Sequence, residues 1–183
     1  MGWYRYIPNS DAFDSVQLAL DDDEPVVGLH YEHRSVAETW KPITVKGLDA
    51  NPGLEGDFPT LNNYSKIPIF SERAWDILAP LISYCSEALR ISHPSGKLFY
   101  LINVLEIIDC LDEERSDLSR NPTTGRVSRV SKYCFRTSLL QGKHVFKTPL
   151  KSGAELFVGE SFREVVEENG LKGLIFEKIS TQK

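Results

Sequence analysis

The chain has 183 residues, 41% of them hydrophobic and 26% charged, with a formal net charge of −5, a composition that lets a globular protein bury roughly 70% of its unfolded surface. The longest apolar run, Leu98 to Leu105, is broken by Asn103 and falls far short of the ~20 residues a membrane helix needs. The charge is uneven: residues 1–60 carry four Lys/Arg against eleven Asp/Glu, whereas residues 61–183 carry seventeen against fifteen.

The opening MGWYRYIPNS lacks the basic flank, apolar centre and cleavage site of a secretory signal, and Tyr6 stands where a myristoylation motif wants Ser or Thr. From Trp3 the aromatic residues alternate with others and predict a first strand; VVGLHY at 26–31 and PITVK at 42–46 are weaker strand candidates. Between them DDDEP at 21–25, and after them LDANPGLEGDFPTLNNY at 48–64, read as surface connections punctuated by Pro52, Gly53, Gly56 and Pro59. KLFYLINVLEIIDCL, from Lys97 to Leu111, predicts one long or bent buried strand, with helix as the alternative that periodicity leaves open. NPTTG at 121–125 is a turn, and RVSRVSKYCF and HVFK supply further short strands. Cys85, Cys110 and Cys134 form no CxxC pair and leave one over, so neither a disulfide framework nor a zinc site is indicated, and a reducing cytoplasm is expected.

One pattern occurs twice. Without a gap, Ile69-Phe70-Ser71-Glu72 falls on Phe157-Val158-Gly159-Glu160, and Ala74, Ile77 and Leu78 fall on Phe162, Val165 and Val166. Each copy parses as strand, helix, strand. The helices are expected from Ser71 to about Cys85 and from Ser161 to about Asn169. Ser161 with Glu164 has the spacing of a capping box, and Gly170 suits a left-handed helix end. Apolar positions at i, i+3 and i+4 put Phe162, Val165 and Val166 on one face, and Ala74, Ile77, Leu78 and Leu81 on the corresponding one, with Trp75 at its flank and filling space beside Ala74. Pro80 is expected to bend or restart the first helix. The likeness admits either an internal duplication or two unrelated units of one common type.

The search for chemistry is mostly negative. His30 and His33, three apart on a strand, would point to opposite faces, and no Cys or His completes a metal set. His93 and His144 lie beside no Ser or Cys elbow. SGK at 95–97 lacks the rest of a phosphate loop, and no GxGxxG is present. Asp109, Asp112, Glu113, Glu114 and Asp117 are the best candidates for a small metal-dependent hydrolase, in which Asp109 and Asp112 would hold the ion. They lack the central glycine of a calcium loop, and Arg115 sits among them; a solvated strand end, its carboxylates bonded to backbone amides and Arg115, is the expectation. From Arg115 to Lys151 nine basic residues face only Asp117. Such a run can neutralise successive phosphates, which makes a nucleic-acid-binding accessory protein an alternative reading. Tyr133 and Phe135 nevertheless do not form the stacking motif of an RNA-binding sheet.

The ordered blocks WKP at 40–42, GDFP at 56–59, IFSERAWDILAPL at 69–81, LINVLEIIDCLDEERSDL at 101–118, GRVSRVSKYCF at 125–135, GKHVFK at 142–147 and LFVGESFREVVEENGLKGLIFEKI at 156–179 resemble the immunity-protein-eleven family of bacterial polymorphic toxin systems. Gly159 departs from the pattern, the family more often having Ser or another small polar residue before the glutamate. The resemblance implies a non-enzymatic protein that binds and neutralises one cognate protein toxin in the cytoplasm, with no cofactor, no metal and no membrane. The expected fold is α+β, a mixed or mainly antiparallel sheet system with two main helices. An acidic, loop-rich lobe over 1–64 and an α+β lobe over 65–183 would together make one compact unit. For toxin recognition the candidates are the acidic run Asp21, Asp22, Asp23 and Glu24, stiffened by Pro25, and alternatively the basic residues Arg126, Arg129 and Arg136.

Overall fold

The computed structural model describes residues 2–19, 26, 29, 34–48, 54–93, 96–150 and 155–181. In chain order the strands are β1 (Trp3–Pro8), β2 (Ser15–Leu18), β3 (Ile43–Leu48), β4 (Thr60–Leu61), β5 (Ile69–Ser71), β6 (Ser86–Ser92), β7 (Leu98–Val104), β8 (Asp117–Arg120), β9 (Val127–Lys132), β10 (Cys134–Phe135), β11 (Val145–Lys147), β12 (Leu156–Gly159), β13 (Leu174–Lys178) and β14 (Ser180–Thr181). The two main helices are α1 (Glu72–Ile82) and α2 (Glu160–Glu168). The fold is α+β, as the sequence predicts.

Four strands form one sheet in the order β11-β12-β1-β13, and six form a mixed sheet in the order β4-β2-β3-β6-β7-β5. The first 64 residues therefore supply strands to both. The repeated sequence pattern has the same topology in each sheet. β5 and β6 flank β7 and run antiparallel to it, while β12 and β13 flank β1 in the same way. Each unit is thus a strand–helix–strand whose two strands are split by a third, supplied from after the unit in one case and from before it in the other.

Aromatic alternation in β1 serves two cores, because successive side chains leave opposite faces of the sheet. Tyr4 and Tyr6 join the core that also holds Phe70, Ala74, Leu78, Val158 and Phe162. Trp3 points the other way, into a cluster with Phe135, Phe146 and Phe157, where its ring meets Phe146 edge-on at 5.1 Å. A third cluster gathers Val45, Leu61, Ile69, Leu89 and Leu101 on the six-stranded sheet.

Helix α1 begins as its capping residue dictates: the Ser71 hydroxyl accepts a hydrogen bond from the Ala74 amide at 3.1 Å and donates one to Asp57 Oδ1 at 2.9 Å. Asp57 Oδ2 also accepts from the Lys172 amide at 2.9 Å and from Arg73 at 3.2 Å, so one carboxylate ties the start of α1 to the chain leaving α2. That exit is a complete Schellman turn. Gly170 takes φ 60°, its amide bonds the Glu167 carbonyl, and the Leu171 amide bonds the Val166 carbonyl.

Four local expectations change. Ser161 does not cap α2: strand pairing runs as far as Gly159, so Gly159 becomes the cap, without a side-chain bond, and Ser161 falls on the second helical residue. Pro80 lies inside α1, which continues to Ile82; so close to the helix end the missing amide costs little structure. Val26 and Leu29, expected in a strand, are helical and buried, their three-residue spacing suiting a helix face. The stretch 48–64 is not all surface, since Phe58 and Leu61 are buried and β4 pairs with β2.

Candidate binding cleft

The basic run folds into a hairpin. Asn121 Oδ1 accepts from the Thr123 and Thr124 amides at 2.9 and 3.0 Å, and Gly125 supplies the left-handed residue with φ 68°, so NPTTG closes β8 onto β9 in the manner of an Asx turn. Leu118 and Val130 pack onto the Trp3 cluster. Tyr133 sets its ring edge-on to Phe157, 4.9 Å between centroids. The hairpin is thereby held over the face of the four-stranded sheet that the helices do not cover.

Between the hairpin and that sheet lies a cleft of about 440 Å³. Residues 128–132 of β9 with Tyr133 form one wall, residues 177–180 another, and Arg5, Lys66, Leu150 and Glu155 complete the lining. Five cations, Arg5, Lys66, Arg129, Lys132 and Lys178, meet two carboxylates there. Both carboxylates are already engaged: Glu155 lies 3.4 Å from Arg5 and 3.3 Å from Lys66, and Glu177 pairs with Arg5. Arg129, Lys132 and Lys178 form no ion pair with a described residue, so the cleft is a positive concavity, which focuses field and favours an anionic visitor. Burial holds the Tyr133 hydroxyl protonated above its usual range, Glu155 reinforcing the effect and Arg5 opposing it. Arg5 Nε is buried without a hydrogen-bond partner.

The three basic residues singled out in sequence are not one patch. Arg129 lines the cleft. Arg126 is exposed beside the hairpin turn, and Arg136 turns to the acidic cluster, donating to the Asp109 carbonyl at 2.8 Å. Within that cluster Asp112 Oδ1 accepts from the Glu114 and Arg115 amides at 3.1 and 3.3 Å, and Glu113 pairs with Arg120. Among the described residues no three metal-ligating side chains converge, and Asp112 Oδ1 is already taken by the two amides of its own turn. The acidic run Asp21, Asp22, Asp23 and Glu24, and the pair His30 and His33, lie outside the described residues.

Two features were invisible in sequence. His144, which lies beside no Ser or Cys elbow in the sequence, has Nδ1 2.7 Å from Ser161 Oγ, a contact made because β11 and β12 are neighbours. Lys147, on β11, is 3% exposed, and burial pulls its ammonium pKa down to about 8. A basic residue between Phe146 and Thr148 gives no local sign of that burial, which follows from its pairing with Leu156. Arg5, Lys66 and Lys178 were likewise passed over as cleft residues; the sequence-level hint was a lone arginine in an otherwise aromatic strand.

No helix among the described residues is long and apolar enough to cross a membrane. No curated protein matches the chain. A family model does, that of the immunity protein family (Imm11), over residues 89–181. The match begins in β6 and ends in β14, and so takes in the whole hairpin and the cleft walls built from β9 and residues 177–180. Its extent, just over half the chain, takes in the motif blocks from 101–118 onward and leaves out those at 40–42, 56–59 and 69–81, and the chain belongs to the immunity protein family.

Proposed function

We propose that this protein protects its host by binding one cognate toxin in the cytoplasm and occluding it, one molecule to one. The family match carries this reading. A cleft with three cations that pair with no described residue supports it, because charge complementarity speeds encounter with the right partner and rejects wrong ones. The cytoplasmic setting is supported by Cys85, Cys110 and Cys134, all buried free thiols, with burial pushing Cys110 up to about 12 and so keeping it an unreactive thiol. The toxin's own activity supplies the chemistry, and the inhibitor's part is recognition.

The test is co-expression with the polypeptide encoded by the adjacent open reading frame. Growth that depends on this protein, together with a 1:1 complex on gel filtration, is the expected outcome; growth arrest that this protein fails to relieve would sink the proposal. The positive cleft also favours a second reading, a nucleic-acid-binding accessory protein. Its signature is an affinity for single- or double-stranded oligonucleotide that falls steeply with salt, in the absence of any protein partner.

A further inference from the structure

We infer that the free edge of β9 receives an extended, acidic segment of the partner as an added strand inside the cleft. The inference rests on the immunity reading and names the element of the partner that the cleft takes.

Five consecutive residues of β9, 128–132, border the cleft, and Tyr133 follows them. Side chains on a strand leave alternate faces, so an unbroken run bordering one space means that the strand turns its backbone edge toward it. β8 is the only strand that pairs with β9 among the described residues, and its ladder is interrupted by register shifts at both ends. A two-stranded ribbon is marginal alone, and its open edge is a template for one more strand. At about 3.3 Å per residue the five bordering strand positions span roughly 17 Å, enough for a partner segment of about five residues.

The charges specify that segment. Arg129 pairs with Ser119 and Lys132 with Asp117, two residues apart on β8, so the bulge between Val130 and Lys132 brings both cations to one face of the ribbon, opposite to Leu118 and Val130. Lys178 stands on the far wall. Acidic side chains at alternate positions of the segment, which share one of its faces, would find Arg129 and Lys132, while Glu155 and Glu177 stay with Arg5 and Lys66. A strand edge offers donors and acceptors in turn, which a peptide backbone matches and a phosphate chain, all acceptors, does not. This favours a polypeptide over nucleic acid as the occupant.

The experiment is hydrogen exchange with mass spectrometry on the full chain, alone and with the adjacent-frame polypeptide, alongside binding measured for the Arg129→Glu/Lys132→Glu double variant. The expected results are at least tenfold slower exchange over residues 128–132 in the complex and at least tenfold weaker binding by the variant. An unchanged thermal midpoint would show the variant to be folded; the exchange result on the unaltered protein stands whether it is or not. A complex that forms with residues 128–132 unprotected overturns the inference and leaves the immunity reading in place. Failure to form any complex overturns both. Protection of the same amides by a twelve-nucleotide single strand, and not by the polypeptide, overturns the inference in favour of nucleic acid.

Discussion

Phe70 and Phe162 meet across the shared core with ring centroids 6.4 Å apart, although they hold different steps in their two similar units. The units order their bulk oppositely: Phe70 and then Ala74 four residues on in the first, Val158 and then Phe162 in the second. All four are buried in one cluster, and α1 packs against α2. Large and small positions therefore alternate between the units, the arrangement that lets facing elements interdigitate at interior density. Trp75, expected beside Ala74, instead lies partly exposed and tilted toward Tyr100, 6.2 Å between centroids; the aromatic bulk comes from Phe70 and Phe162.

Phe162→Ala is expected to cost about 3–5 kcal/mol, through lost burial and a cavity that the opposed Phe70 cannot fill. Urea unfolding measures it. A loss below about 1 kcal/mol would mean that the core yields around the site.

Lys147 makes stability depend on pH with a defined sign. Below pH 8 both folded and unfolded chains hold its proton, so the cost of burying the charge is fully present. As pH rises from about 8 towards the ordinary lysine value of 10.5, the unfolded chain holds more proton than the folded one, and stability gains. Lys147→Met removes the cost, and should raise stability by about 1–3 kcal/mol at pH 7. Plotted against pH, the stability difference between variant and parent should shrink from pH 8 upward; a difference that stays constant would show that Lys147 is solvated.

The two helix starts should respond unequally to loss of a serine. Ser71→Ala removes the cap on Ala74 and the bond to Asp57, for about 1–2 kcal/mol. Ser161→Ala removes only a contact with His144 and should cost under about 1 kcal/mol. Equal losses in denaturant titrations would restore Ser161 as a cap.

Neutralising Asp21, Asp22, Asp23 and Glu24 to Asn and Gln distinguishes the two recognition candidates. If the basic cleft takes an acidic segment, association at low salt should be unchanged or a few-fold faster, because like-charge repulsion is relieved. Slower association in stopped-flow mixing would make the acidic run the contact and the toxin's surface basic.

What the sequence revealed, and what it concealed, follows from the range of the forces involved. Helix faces are local, so Ala74 with Leu78 and Phe162 with Val166 could be placed inward from spacing alone. Gly170 was legible for the same reason, a left-handed position needing no distant partner. The cap of α2 falls two residues earlier than Ser161 because it depends on where β12 stops pairing with β1. The cleft is harder still: Arg5, Lys66, Arg129 and Lys178 come from four separated segments, and only the strand order turns them toward one space. Arg126, Arg129 and Arg136 looked alike as neighbours in the chain, but a turn and an ion pair with Asp109 send them in three directions.

The central place of β1 has a consequence for synthesis. Arg5 pairs with Phe157 and Glu177, so in synthesis this strand is made long before either of its neighbours. Such distant closure makes folding slow and leaves an aromatic-rich strand uncovered in the meantime. Truncated or nascent chains would lack the sheet against which the hairpin rests, so the cleft comes into being only with the finished molecule. Under the proposed function, in a cell already holding toxin the interval between starting and completing each molecule is time without cover, and a stock made in advance becomes the safer strategy.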